Sequence, residues 1–426
     1  MNRFSVSLIA ILIFSPLTHA AEWDDTNDPA NINAHYVYRL SDLPQSGRLD
    51  NAHMPWSDNY WESDFGGISL RWEGLDPGQL DPDVRYDVDK DALFAYTPPT
   101  KAEVLSMSAS QVKMLSPAEK YDIFMSHYDY PTVTSERNRT GPYDPDWQGL
   151  CHGWVVVAAN YSEPKPVVVT NAEGVKIPFG SSDVKGLLSY YYGITAYDYA
   201  RGNRHVARRA GKVQYLDQVD SFDLANWITL AANALIFDQT GWSVNLDTVD
   251  ENGLDASIPD VNHVFQVGAR TAALNLAPLM TGRALNAGAF HVVMANQLGR
   301  LNKGFSANIN LSRYANQIWN QPVVGFTSEV SDDFVHHSVR GNWVQVTTVL
   351  TYVSEIPQTY DAVVGTPMQR FSDITLSYSL DLDDQGNIIG GDWNDREHPG
   401  FVWAHDKIDI RGYFSKINAI YQPRFR

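Results

Sequence analysis

The amino-acid sequence predicts an α+β protein, with a helical core that carries one cysteine and an antiparallel β region appended behind it. Three observations lead there. Capped helix starts cluster after residue 100, a lone cysteine bracketed by glycines heads an apolar run at 151–160, and β-branched residues alternate beyond about residue 325. The 426 residues include 12 Trp, 22 Tyr and 17 Phe, which supplies ample core material and is too aromatic for disorder.

Residues 1–20 read as an export signal: Arg3 in a short basic region, an apolar stretch from Val6 to Phe14, and Thr18-His19-Ala20 as a small-residue cleavage site. The mature chain is expected to start near Ala21 and to be secreted, extracellular or periplasmic. Neither the signal nor any later run is long enough to span a bilayer, so no membrane insertion is expected. Lys and Arg total 32 against 50 Asp and Glu, a formal charge of −18, which disfavours nucleic acid and acidic membranes as partners.

Residues 21–99 are acidic and turn-rich (Asp76-Pro77-Gly78, Asp81-Pro82-Asp83) without a sustained period. They are expected to form an irregular, mostly exposed and pro-like lead segment. A catalytic domain is then expected over 100–325. Thr100-Lys101-Ala102-Glu103 opens one helix, and Ser116-Pro117-Ala118-Glu119 opens a second with Ser at N-cap, Pro at N1 and Glu at N3.

A chain with one cysteine forms no internal disulfide, so an exported protein gains no crosslink from that thiol and risks its oxidation. Retention of Cys151 points to chemistry. It lies in Trp147-Gln148-Gly149-Leu150-Cys151-His152-Gly153-Trp154, ahead of an apolar run stopped by Pro164 and Pro166. Glycines on both sides suit a tight loop entering a helix, where unpaired amides and the positive dipole end favour a thiolate. The same amides could hold an oxyanion, with Gln148 or Trp147 as second donor. A further helix, structural in role, is expected over Asp223–Leu235.

A thiol nucleophile needs a base. Gly288-Ala289-Phe290-His291-Val292-Val293-Met294-Ala295 places His291 in a β-branched run, read as a strand, followed by a turn at 299–304 and a second strand over 305–311. Asn308 and Asn310 share one face of that second strand, so either could orient the imidazole as the third member of a triad. His152 sits about 100° round the helix from Cys151 and is poorly aimed at it. His263 and the pair His336-His337 lack partners at metal-ligand spacing.

Six ordered blocks now carry a resemblance. Ser116 to Asp122, Tyr128-Asp129-Tyr130-Pro131, Trp147-x-Gly149-x-Cys151-His152-Gly153-Trp154, Ala289-Phe290-His291-Val292-Val293, Ile318-Trp319-Asn320-Gln321-Pro322-Val323, and Gly390-Gly391-Asp392-Trp393 with His398 to Trp403 resemble the transglutaminase-elicitor family in the same order. The family includes oomycete cell-wall transglutaminases and bacterial secreted relatives. The resemblance runs from about residue 100 to the C-terminus. It implies a papain/transglutaminase-like core and a calcium-associated protein-glutamine γ-glutamyltransferase with a Cys-His-Asp triad. Cys151 and His291 fall on matching positions. The third departs, with Asn308 where Asp is expected, although papain-like sites use Asn in that role.

The last zone, 326–426, is expected to be antiparallel sheet, with strands over Gly341–Val353, Phe371–Leu382 and Ile408–Tyr413. Asp381, Asp383, Gln385, Gly386 and Asp392 occupy EF-hand-like spacings, which makes calcium a candidate ligand there, but a hairpin turn explains the same residues better. The sequence itself requires no cofactor.

The expected chemistry is attack of Cys151 on a glutamine side chain, with His291 as base, and transfer of the acyl group to lysine or another amine. Protein glutamine and lysine side chains or small amines are the expected partners. A cysteine peptidase or glutamine deamidase on the same core is the nearest alternative, and a non-catalytic secreted binding protein is another.

Overall fold

Local capping fixes the first helices. The computed structural model describes residue 23 and residues 27–72, 89–145, 147–200, 213–216, 285–309, 319–331, 336–338, 341–395, 397–405, 407 and 409–425. After α1 (Lys90–Ala95), α2 (Lys101–Ser106) starts at a complete capping box between Thr100 and Glu103, and α3 (Ala109–Lys113) at one between Ser108 and Gln111. The helix α4 (Pro117–Phe124) repeats the device with Ser116 and Glu119. There the Glu119 carboxylate is buried, so it also takes Arg71 in a two-pronged ion pair at 2.9 and 2.5 Å. Next come α5 (Pro131–Arg139), α6 (Cys151–Asn160) and the long α7 (Ser181–Ala200). Gly153 lets α6 and α7 touch, since a Cβ there would overlap the Ser189 carbonyl.

The sheet has nine strands among the described residues. These are β1 (Ser46–Arg48), β4 (Val213–Leu216), β5 (Phe305–Asn308), β6 (Asn320–Val330), β7 (His336–Ser338), β8 (Gly341–Val353), β9 (Phe371–Leu382), β10 (Ile388–Trp393) and β11 (Val402–His405). Their order is β10-β9-β8-β6-β5-β11-β4, with β1 paired to β6 and β7 to β8, and every pairing is antiparallel. A separate ribbon joins β2 (Val167–Thr170) to β3 (Lys176–Phe179). The expected strands at 341–353 and 371–382 are present, and in β9 Leu376, Tyr378 and Leu380 alternate into the core.

Four expectations need correction. The β region is not appended, because β6 runs through residue 325 and ties β5 and β11 to β8, β9 and β10 in one sheet. Residues 409–416 form no strand; Gly412–Lys416 is a 3-10 turn leading to α9 (Ile417–Ile420), and β11 lies earlier.

Among the described residues the lead segment is irregular but not mostly exposed over 54–70, where Trp56, Trp61 and Ile68 are at most 2 % exposed, and β1 extends the sheet. Its aromatics supply the burial that its lack of period concealed.

The run around His291 is a helix, α8 (Ala287–Gly299), capped by the Asn286 side chain accepting from the Gly288 and Ala289 N–H groups. Every residue from Ala287 to Leu298 is buried, so no polar face reveals the helical period. Residues 1–20, the helix expected at Asp223–Leu235, and Asn310 lie outside the described residues. No described helix is long and apolar enough to cross a membrane.

The helix α8 crosses the sheet from β10 to β1 on glycine contacts at both ends. A Cβ on Gly288 would overlap the Gly390 carbonyl, and one on Gly47 would lie 2.8 Å from the Gly299 backbone. Gly288→Ala is therefore expected to destabilise the protein by about 1–3 kcal/mol through overpacking, read as a lowered urea midpoint; an unchanged midpoint would mean that α8 is not seated as described.

Candidate active site

The helix α6 begins at Cys151 itself. Its N-cap, Leu150, has φ −103° and ψ 25° and no side chain able to cap, so the first turn closes through the Leu150 carbonyl, which accepts from the Gly153 and Trp154 N–H groups at 2.9 and 2.8 Å. Cys151 is partly exposed there, in the field of the helix N-terminus, which stabilises negative charge on sulfur. The rest of the helix is apolar and packs between α7 and β6.

The loop before Cys151 is held by the lead segment. The Leu150 N–H donates to the Tyr60 carbonyl at 2.6 Å, and the Ser63 N–H donates to the Gln148 carbonyl at 2.8 Å. Gly149 is required by proximity, because a Cβ would stand 2.6 Å from the Tyr60 oxygen. Trp147 and Gln148, the candidate oxyanion donors, are both partly exposed in this loop. The Gln148 N–H is spent on the Pro145 carbonyl at 2.9 Å, so of its donors only the side-chain amide remains for an oxyanion.

His291 lies elsewhere on the sheet. Its Nδ1 meets the Tyr378 Oη at 2.8 Å; that hydroxyl meets the Thr348 Oγ1 at 2.7 Å, and Thr348 meets the Ser328 Oγ at 2.7 Å. The imidazole is 2 % exposed, and burial pulls its pKa down to about 4, so it is neutral at pH 7. Its ring packs on Tyr378, which in turn contacts Phe290 and Trp393. Among the described residues no hydrogen bond joins His291 to Cys151 or to Asn308.

Asn308 ends β5. Its side-chain oxygen accepts from the Trp319 N–H at 3.0 Å, and its backbone pairs with Phe401 and Gly400. It stands opposite Asn320 on β6, whereas the hydroxyl chain from His291 arrives at Ser328 on the same strand. At the usual rise those two points are roughly 25 Å apart. The residues that hold the Cys151 loop belong to the Asn320 end: the Ile356 N–H donates to the Asp58 carbonyl at 3.2 Å, and Gln321 donates to Glu355, whose charge bears on Tyr60. The structure thus gathers the Cys151 loop and the Asn308 neighbourhood toward one end of β6 and anchors His291 at the other.

His152 faces α7, with its Nε2 3.3 Å from where a Gly193 Cβ would lie, and burial with the nearby Arg139 charge lowers its pKa to about 4. The residues that sequence reasoning missed are Tyr378, Gln321, Glu62 and Glu355. Tyr378 was visible only as an inward position of β9, and Gln321 only as a member of the sequence block at 318–323; Glu62 and Glu355 join through the fold and leave no local signal.

The residues considered for calcium form a hairpin. Asp383 Oδ1 accepts from the Gln385 and Asn387 N–H groups at 2.9 and 2.7 Å, while its Oδ2 takes the Asn387 side-chain amide at 2.8 Å. Asp381 is buried on β9 opposite Gly390, and Asp392 lies exposed on β10 opposite Ser379. With Asp383 committed to the turn, this quartet does not fit a calcium cage, and no group of three or more His, Cys, Asp or Glu among the described residues is placed to hold a metal.

Helices packed on a broad antiparallel sheet define a mixed α and β protein, with its one cysteine at a helix N-terminus. The chain matches the transglutaminase elicitor family over residues 31–215 and 280–411, and it belongs to that family. The match reaches into the lead segment, further than the sequence blocks did. Its fold is similar to the crystal structure of the GP42 transglutaminase from Phytophthora sojae, with TM-score 0.56 and 17 % identity over 93 % of this chain and 97 % of that one. No curated protein matches it.

A buried neutral imidazole makes stability depend on pH. With a folded pKa of about 4 below the ordinary value of 6.5, the His291 contribution is intact above pH 6.5 and is lost as the pH falls from 6.5 toward 4. The loss approaches roughly 3 kcal/mol. His291→Gln is expected to flatten the urea midpoint across pH 4–6.5 relative to the wild type; parallel pH profiles would mean that the imidazole is not buried neutral.

Proposed function

We propose that the protein is a secreted protein-glutamine γ-glutamyltransferase with Cys151 as nucleophile. The observation that carries the proposal is the position of the one cysteine at the first residue of an apolar helix whose N-cap offers no side chain of its own. In a transglutaminase-elicitor family member, that placement suits acyl transfer. The papain/transglutaminase-like reading of the core is part of the same proposal.

The Cys151 thiolate attacks the glutamine carboxamide carbon, a C–S bond forms, and ammonia leaves with a proton supplied by the general acid. A lysine or small amine then attacks the thioester; the C–N bond forms, the C–S bond breaks, and the amine proton returns to the site as the thiol is regenerated. Water in place of the amine gives deamidation.

The family resemblance gives the base to His291. A specific observation favours a second reading of that residue: its hydrogen bond to Tyr378 makes it a packed member of the helix–sheet interface, with the base supplied by another group.

Cys151→Ala is expected to lower incorporation of a fluorescent amine into a glutamine-containing protein by more than about 10³-fold with its melting temperature retained. Full incorporation by this variant would end the proposal. His291→Asn separates the two readings. A loss of at least about 10²-fold in kcat with the fold intact makes it the base, whereas near-normal kcat with a lowered melting temperature makes it structural.

A further inference from the structure

Beside the Cys151 loop lies a group of acceptors short of donors. Glu62 and Glu355 are both partly buried, and among the described residues neither has a cationic partner. Both bear on Tyr60, whose carbonyl holds the Leu150 N–H one residue before the nucleophile. Glu62 lies near the Asn59 and Tyr60 side chains and near Asp64. Gln321, 2 % exposed, donates its side-chain amide to Glu355 and keeps its own Oε1 without a donor. Asp64, 1 % exposed, gives one oxygen to Lys90 and keeps Oδ1 without a donor. A buried acceptor left so costs about 1–3 kcal/mol, a cost that a group rich in N–H donors would relieve.

We propose that Glu62, Glu355 and Gln321 form a subsite for an organic ammonium group, the acyl acceptor of the reaction at Cys151; the acceptor role rests on the function proposed above, whereas the cation site rests on these residues alone. An ammonium carries three donors and one positive charge, the complement of two carboxylates and a carboxamide oxygen, and it passes one proton to a carboxylate there before its nitrogen, now carrying a lone pair, attacks the thioester. Burial raises the pKa of both carboxyls, that of Glu62 to about 7, which lessens the charge they carry near the Cys151 loop, and an arriving cation favours ionisation of both. The subsite does not have the donor set of a metal cage, since no described group of three or more metal-binding side chains converges there.

The test uses the full chain carrying Cys151→Ala, titrated calorimetrically with n-butylamine as the cationic probe and n-butanol as its neutral counterpart. Saturable binding of the amine and none of the alcohol is expected, weakened at least about tenfold by Glu355→Gln and retained in part by Glu355→Asp. If Glu355→Gln fails to fold, Glu62→Gln and Gln321→Met carry the same comparison. Amine binding that is absent, or equal in the Gln variants, overturns the subsite, as does stoichiometric displacement of the amine by calcium.

In the protein with Cys151 intact, Glu355→Gln is expected to raise KM for n-butylamine at least about tenfold more than KM for hydroxylamine, which is neutral at pH 7.5. Equal changes in the two KM values also overturn the acceptor role. Hydroxamate formation by the wild type judges acyl transfer separately: its absence, with amine binding intact, removes the proposed function and leaves the cation site standing.

Discussion

The need of every buried peptide group for a partner governs this protein through one stretch of chain, residues 56–63. This stretch has no β ladder of its own, yet it runs through the core, so its hydrogen bonds must be met by other elements. The Trp56 Nε1 donates to the Tyr161 carbonyl, and the Trp154 Nε1 donates back to the Trp56 carbonyl, which pins both ends of α6 to the segment. Lys185 of α7 donates to the Ser57 carbonyl at 2.9 Å while its ammonium pairs with Glu163 at 2.8 Å, with both side chains fully buried. Ser182 donates to the Asp58 carboxyl, and burial raises the pKa of that carboxyl to about 7. A buried pair such as Lys185 with Glu163 adds little net stability over apolar packing, but it is costly to break singly, so it fixes the register of α7 against the segment. The loop that presents Cys151 inherits that register through Tyr60.

The sheet sets the second constraint. The strand β6 is the one on which both halves of the molecule meet, and its two ends serve different groups. At Ser328 and Thr348 the strand passes a chain of hydroxyls to Tyr378 and His291, a continuous polar path inside an apolar interface. Such a path rigidifies the contact between helix and sheet, because each hydroxyl can rotate to serve its neighbour and none can be removed without orphaning another. At Asn320 and Gln321 the same strand faces Asn308, Trp403 and Glu355. Groups that share β6 are therefore adjacent in topology and remote in space.

What the sequence made legible follows the range of each interaction. Caps at Thr100 and Ser116 act within one helical turn and were readable, as was the helix at Cys151, whose flanking glycines meet Tyr60 and Ser189. Strands β8 and β9 declare themselves by alternation because one face is less buried than the other. The helix α8 was misread as a strand because it is buried on every side, which erases the period that separates the two. The lead segment was misread because its partners are far along the chain; Trp56 meets Tyr161 across 105 positions. The candidate nucleophile could be found from residue type and neighbours alone. The arrangement around it could not, since Glu62, Gln321 and Glu355 come from three separate elements and, although Gln321 lies in one of the resemblance blocks, nothing local ties it to the other two.

The charges around Cys151 fit together once their protonation is considered. A helix N-terminus favours a thiolate, and two ionised carboxylates close by would oppose it. Burial lessens that opposition, because it raises the pKa of both carboxyls, that of Glu62 to about 7. Partial burial thus does two things with one cost. It reduces the like charge near the sulfur, and it leaves two carboxyls whose ionisation is coupled to the arrival of a cation. In a chain with a formal charge of −18, attraction of cations over the whole surface is unselective. Selectivity has to come from a place where a positive group is desolvated and its N–H donors are matched one by one, and the acceptors around Glu355 are of that kind.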